Sequence, residues 1–225
     1  MKSFFITGTD TDAGKTFVTA GIIKALRDSG IEAIPAKPVQ SGCINNIASD
    51  LEYVLNLSDL NLSDSIKEKL CPIRFEPACS PHLAAKLANT SIEVEKMVAN
   101  LNELKSKYKT IIAEGAGGIL VPLGNYTTML DFIKKLNWSV ILVVANKLGA
   151  INHALLSISA LRNADIEIAG VIVNHTTQPD KLIGQNNIFT IEQYGKVQVI
   201  GEIPYSPSIF PIENFHKIIE IMKEI

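Results

Sequence analysis

No apolar run in this chain is long enough to cross a bilayer; the longest, residues 140–145, falls far short of a membrane span. No secretory hydrophobic core precedes the first apolar segment, since Met1-Lys2-Ser3 leads straight into it. Cysteine is scarce. Cys43, Cys71 and Cys79 are odd in number and lack Cys-x-x-Cys spacing, which excludes a disulfide framework and a zinc ribbon and leaves three reduced thiols. His82, His153, His175 and His216 show no metal-ligand spacing, and no Gly-x-Ser-x-Gly elbow supports a serine hydrolase. Net charge is only −2, so no basic field draws the chain to nucleic acid or to an anionic membrane. Repeats and low-complexity segments are absent. These absences point to a soluble cytoplasmic protein, and 225 residues suit one well-packed domain, residues 1–225.

What is present begins at residue 8. Gly8-Thr9-Asp10-Thr11-Asp12-Ala13-Gly14-Lys15-Thr16 reads as a nucleotide phosphate loop. Gly14 permits a tight turn, and the amides of residues 12–16 are placed to cradle phosphate oxygens. Lys15 brings a positive charge to the β- and γ-phosphates, and the Thr16 hydroxyl is a hard ligand suited to Mg²⁺. The first glycine stands one residue earlier than in the common pattern. The setting fits: an apolar strand precedes the loop, and a helical face of Val18, Ile22, Ile23, Ala25 and Leu26 follows it.

Apolar runs alternate with helical stretches along the chain. Strands are expected at 3–7, 32–37, 110–114, 140–145, 170–174 and 197–201. Helices are expected at 15–28, 92–106, 127–136, 152–163, 181–195 and 212–224. Runs without polar alternation, such as residues 110–113 and 140–144, imply strands covered on both faces. The expectation is a doubly wound α/β domain with a mainly parallel sheet and its ligands at the carboxyl ends of the strands. Residues 38–109 exceed a simple crossover. They hold expected helices near 49–56, 64–70 and 80–89 and form an insertion suited to substrate contacts.

Glu114 closes a strand before Gly115-Ala116-Gly117-Gly118, a place for a second Mg²⁺ contact; the plainer reading is a turn cap. Asp50, taken alone, reads better as a helix cap, as does Ser49. Lys37 ends a strand before Pro38-Val39-Gln40-Ser41-Gly42. It is equally a group that neutralises phosphoryl charge or a surface lysine lying along apolar contacts. Asn152 reads as a helix cap or a carboxylate contact, and Asn174 as a turn residue or a contact to a purine edge.

Taken in order, six segments resemble the dethiobiotin synthetase family. They are the phosphate loop, Lys37-Pro38-Val39-Gln40-Ser41-Gly42, Glu76-Pro77-Ala78-Cys79-Ser80-Pro81-His82, Glu114-Gly115-Ala116-Gly117-Gly118, Lys147-Leu148-Gly149-Ala150-Ile151-Asn152-His153-Ala154 and Gly201-Glu202-Ile203-Pro204. The early glycine is normal for that family. The resemblance implies a P-loop NTPase-like fold, a homodimer, and the ATP-dependent carboxylation and ring closure of 7,8-diaminononanoate with CO₂. Lys15 then matches the phosphate-loop lysine, and Thr16, Asp50 and Glu114 match the Mg²⁺ ligands. Thr11, Lys37 and Ser41 match positions near the carbamate and the transferring phosphoryl group. Asp12, Ala13 and Gly14 belong to the nucleotide cradle, and Asn174, Ile203 and Pro204 to the base pocket. Gly149, Ala150 and Asn152 match the loop that receives the substrate carboxylate across the dimer interface. Two other readings of the fold are a partition-type ATPase and a catalytically silent nucleotide-binding regulator. The first expects a lysine where this chain has Asp10, and the second expects a depleted site.

Overall fold

The structure is a computed structural model and describes residues 1–178, 181–206 and 208–225. In chain order the strands are β1 Phe4–Gly8, β2 Ala33–Ala36, β3 Val39–Ser41, β4 Ile73–Phe75, β5 Thr110–Gly118, β6 Pro122–Gly124, β7 Thr127–Thr128, β8 Ser139–Ala145, β9 Ile168–Asn174 and β10 Val199–Ile203. The helices are α1 Lys15–Asp28, α2 Ser49–Leu57, α3 Asp64–Leu70, α4 Pro81–Leu87, α5 Val94–Lys107, α6 Met129–Leu136, α7 Ala150–Asn163, α8 Lys181–Gly195 and α9 Ile212–Glu224.

Six strands form one sheet in the order β10-β9-β8-β1-β5-β2, every neighbouring pair parallel. These are the six strands expected from the apolar runs. Their side chains alternate between two covered faces. Phe4, Ile6, Ile112, Ile141 and Val143 pack with α1 and α9, while Phe5, Ile111, Ala113 and Val140 pack with residues of α5 and α6 on the other side. Leu142, Val144, Val171 and Val173 complete that second face beneath α7 and α8. Burial on both sides explains why these strands lack polar alternation. Close approach of α1 to α9 depends on Gly21, where an added Cβ would lie 2.2 Å from the Phe215 ring.

The chain leaves β1 toward β5 and β2 on one side and returns to β8, β9 and β10 on the other. The order reverses at β1, so a crevice opens beyond its carboxyl end, where α/β sheets bind ligands. The insertion lies beside this crevice. It contributes the parallel pair β3–β4 and the helices α2, α3 and α4, all three as expected. Burial pushes the Cys71 thiol up to about 12, and none of the three cysteines is paired.

Candidate active site

The phosphate loop runs from Gly8 at the end of β1 into α1. Asp10 caps a short 3-10 turn, Thr11–Ala13, its carboxylate accepting from the Thr11 amide at 2.7 Å. Gly14 then turns left-handed at φ 86°. No side chain fits there, since a Cβ would lie 2.1 Å from Nδ2 of Asn174. α1 therefore begins at Lys15 with its N-terminal amides facing the loop.

Lys15 folds back along the loop and donates to the carbonyls of Asp10 at 2.8 Å and Thr11 at 3.1 Å. Burial, with the nearby Lys37 ammonium, lowers its pKa to about 8. A phosphate would add negative charge to the partial compensation that Glu114, Asp50 and Asp10 give this ammonium. Asp10 pairs in turn with Lys147 at 3.1 Å, and this hydrogen bond, with that from the Thr11 amide, holds the Asp10 carboxyl below its ordinary range.

Lys37 follows β2 and is buried between two carboxylates. Its Nζ lies 2.6 Å from Oε1 of Glu114 and 2.7 Å from Oδ2 of Asp50. Burial alone would discharge it, but Glu114 and Asp50 outweigh that and raise its pKa, so the ammonium stays charged. Lys37 is thus not a surface lysine. The same Glu114 oxygen accepts from Oγ1 of Thr16 at 2.8 Å. Glu114 does not close its strand, as the sequence implied, and is not a turn cap. It sits inside β5, level with Ile6, and β5 continues through Gly118. Gly117 permits that extension: it is left-handed at φ 65°, and a Cβ there would lie 2.7 Å from Val121.

Asp50 is likewise no helix cap. Ala48 holds the cap position of α2, and Asp50 stands in the first turn with its carboxylate on Lys37. Thr11, Asp12, Gly14, Lys15, Thr16, Lys37, Ser41, Asp50 and Glu114 all line one cleft of about 780 Å³. Cys79, Ser80 and Pro81 from the start of α4 and Val121 complete its far wall. Sequence reasoning gave no role to Gln40, although it lies within a quoted motif and lines the same cleft. It also missed the Asp10–Lys147 pair, which joins residues 137 positions apart.

The remaining expected residues lie outside that cleft. Asn174 ends β9 beside Ile203 of β10, and its Nδ2 donates to the Ala13 carbonyl at 3.0 Å. This bond ties the phosphate loop to the strand ends and leaves the Asn174 carbonyl oxygen free of that contact. Pro204 follows at the rim of a separate groove of about 580 Å³. Neighbouring His175, given no role from sequence, is buried and bonds Glu202 of β10 at 2.6 Å. Gly149, left-handed at φ 90°, caps α7; Ala150 is buried, and Asn152 is exposed in the first turn.

A phosphate loop at the switch point of a parallel sheet, facing two carboxylates and a buried lysine, defines a P-loop nucleotide-binding domain. The structure is similar to that of the septum site-determining protein MinD complexed with Mg-ADP from Pyrococcus horikoshii (TM-score 0.62, 17% identity, 100% of this chain and 97% of that one). It is also similar to a putative plasmid partition protein from Borrelia burgdorferi bound to AMPPNP (TM-score 0.63, 15% identity, 100% and 99% covered). At such identity the likeness is one of P-loop fold. A family model described as an AAA domain matches residues 2–212. Sequence similarity goes further. ATP-dependent dethiobiotin synthetases from Halalkalibacterium halodurans and Anoxybacillus flavithermus are each 40% identical, over 94% and 91% of this chain and 88% and 92% of theirs. One from Methanococcus vannielii is 39% identical over 88% of this chain and 90% of its own. The chain belongs to the dethiobiotin synthetase family and is an ATP-dependent ligase.

Proposed function

We propose that the chain carboxylates and cyclises 7,8-diaminononanoate with CO₂ and ATP, giving dethiobiotin, ADP and phosphate in biotin biosynthesis. The observation behind the residue assignments is the buried Lys37 held between Asp50 and Glu114 in the cleft that begins at the phosphate loop. One substrate amine captures CO₂ as a carbamate and releases a proton. A carbamate oxygen attacks the γ-phosphorus and ADP leaves, giving a carbamic–phosphoric anhydride. The second amine attacks the carbonyl carbon and gives up a proton, the C–O bond to phosphate breaks, and the ring closes with release of phosphate. None of the three steps uses a protein nucleophile. The protein's work is to orient the reactants and neutralise charge.

In this reading Asp12, Ala13 and Gly14 cradle the phosphates, Thr11 lies near the carbamate and the transferring phosphoryl group, and Lys15 moves from the loop carbonyls onto the phosphates. Lys37 balances charge on the carbamate and the transferring phosphoryl group, with Ser41 beside it. Asn174, Ile203 and Pro204 border the base. The Asn174 oxygen suits the amino group of adenine, because its amide nitrogen is engaged by Ala13. Thr16, Glu114 and Asp50 fit Mg²⁺: all three offer hard oxygens, and Thr16 and Glu114 are already within 2.8 Å. Among the described residues no cluster of three or more acidic, His or Cys side chains gathers, so nucleotide and water oxygens would complete the coordination. When bound, Mg²⁺ neutralises charge on the phosphates.

The reading includes a cytoplasmic homodimer in which Gly149, Ala150 and Asn152 hold the substrate carboxylate for the partner's cleft. Its support is their position outside the cleft of their own chain and the exposure of neighbouring Leu148 (96%), apolar surface that a second copy would cover. Among the described residues no helix is long and apolar enough to cross a membrane.

Isotope transfer tests the chemistry. With C¹⁸O₂ as the carbon source and turnover fast relative to exchange with water, one ¹⁸O should appear in each phosphate released. Phosphate without ¹⁸O, formed alongside dethiobiotin, would mean that the carbamate is not the phosphoryl acceptor.

A further inference from the structure

We propose that Gln40 is the positioning residue for Asp50, and thereby sets divalent-cation affinity at the active site. α2 begins with no side-chain cap of its own, because Ala48 occupies the cap position. Two of its orphan amides are met from outside. The Gln40 amide is assigned with its oxygen toward the helix, because a nitrogen there would face the two backbone N–H donors; so assigned, it accepts from the Ser49 amide at 3.1 Å, the Asp50 amide at 3.1 Å and the Ser49 hydroxyl at 2.9 Å. Gln40 is 4% exposed and sits on the short strand β3, paired to β4 opposite Arg74.

Asp50 is consequently gripped twice by one short segment. Lys37 holds its carboxylate at 2.7 Å, and Gln40, three residues further on, holds its backbone amide. The first grip is one that a divalent cation would compete with, because the ammonium and the cation want the same carboxylate oxygens. The second grip is on the backbone and persists whatever occupies the carboxylate. It fixes the first turn of α2 against the cleft, so that Asp50 reaches the Thr16–Glu114 pair from a rigid element. Glu52, in the same first turn, pairs with Lys67 of α3 at 2.9 Å, so that ion pair holds the turn to α3 while Gln40 holds its free amides to β3.

The inference rests on Asp50 being a cation ligand. Its test reads binding as well as turnover, so it does not depend on the reaction proposed above. Mn²⁺ binding to the full-length protein saturated with ADP would be followed by electron paramagnetic resonance for wild type, Gln40→Leu, Gln40→Glu, Asp50→Ala and the Gln40→Leu/Asp50→Ala pair. Loss of one helix cap should weaken Mn²⁺ binding roughly fivefold in Gln40→Leu. Gln40→Glu keeps acceptor oxygens at the amides and should stay within about twofold of wild type or bind more tightly. In the Asp50→Ala background Gln40→Leu should have no further effect, as expected for residues acting as one unit.

Met222→Ala opens a cavity in the core under α9, a helix with no residue in the cleft lining, and controls for general loss of stability. It should lower the melting temperature and leave Mn²⁺ affinity unchanged. An equal loss of Mn²⁺ affinity from Gln40→Leu with and without Asp50, or from Met222→Ala, would overturn the inference, as would unchanged affinity in Gln40→Leu. Wild-type protein that binds ADP without site-bound Mn²⁺ would remove its premise. Failure of dethiobiotin formation with this binding pattern intact would instead count against the reaction alone.

Discussion

Nucleotide binding should take up a proton at mildly alkaline pH, and the group responsible is Lys15. In the free protein this lysine is buried against two backbone carbonyls, with Lys37 as a neighbouring cation, and titrates at about 8 rather than at 10.5. Bound phosphates surround it with negative charge and restore its proton. From a pKa of about 8, the free enzyme lacks that proton in about one-tenth of molecules at pH 7, half at pH 8 and nine-tenths at pH 9. Uptake on binding MgAMPPNP should follow those fractions, and the dissociation constant should rise about tenfold between pH 7 and pH 9. Calorimetry at each pH, in two buffers of different ionisation enthalpy, reads the uptake directly. In Lys15→Arg the guanidinium stays charged and the alkaline uptake should vanish. The same shift has a stability consequence of known sign. Between about 8 and 10.5 the unfolded chain keeps a proton on Lys15 that the folded chain has lost. Unfolding then takes up protons, so this group's contribution to stability rises with pH across that window. Buffer-independent heats and flat affinity from pH 7 to 9 would refute the account of Lys15.

Lys37→Met would leave Glu114 and Asp50 facing each other, with Glu114 only 2% exposed. Urea unfolding should show a loss of about 3–5 kcal/mol, and turnover should fall by at least about 100-fold; near-normal turnover would dismiss the charge-balancing role. Asn174→Ala removes the bond to the Ala13 carbonyl together with the proposed base contact, and should raise the KM for ATP roughly tenfold with kcat little changed, as expected for groups that bind nucleotide without touching the reacting atoms. A fall in kcat with unchanged KM would place Asn174 elsewhere in the chemistry. Gly21→Ala drives a methyl into the Phe215 ring, which is stacked on Phe210 and tilted against Phe17. It should cost about 1–3 kcal/mol in urea titrations while nucleotide affinity stays at the wild-type value.

The sheet was legible because its strands are buried on both faces. Runs such as Val140-Ile141-Leu142-Val143-Val144 have no solvent side to encode, and all six lie in the central sheet. Helices were equally plain where apolar spacing and punctuation agreed, as at α1, whose bounds match the expected 15–28. The cleft was only half legible. Lys15 and Thr16 announce themselves through local spacing. Asp50 does not, because its meaning comes from Lys37 and Glu114, residues distant in sequence that the sheet and insertion bring to its carboxylate. Position within β5 was misjudged for a related reason. The glycines after Glu114 read as a loop, but β5 runs on through a shift in register, with Gly117 left-handed, and pairs Gly118 with Gly8 of the phosphate loop. Gln40 had a motif and no visible purpose until α2 proved to lack a cap of its own.

The central claim is the reaction, and product formation tests it most directly. Purified protein would be incubated with Mg²⁺, ATP, bicarbonate and 7,8-diaminononanoate, each omitted in turn, and the products read by mass spectrometry. Dethiobiotin should appear only in the complete mixture, with one ADP for each molecule formed. Folded protein that binds ATP but yields no dethiobiotin would contradict the assignment and favour a silent nucleotide-binding role or another carboxylate substrate.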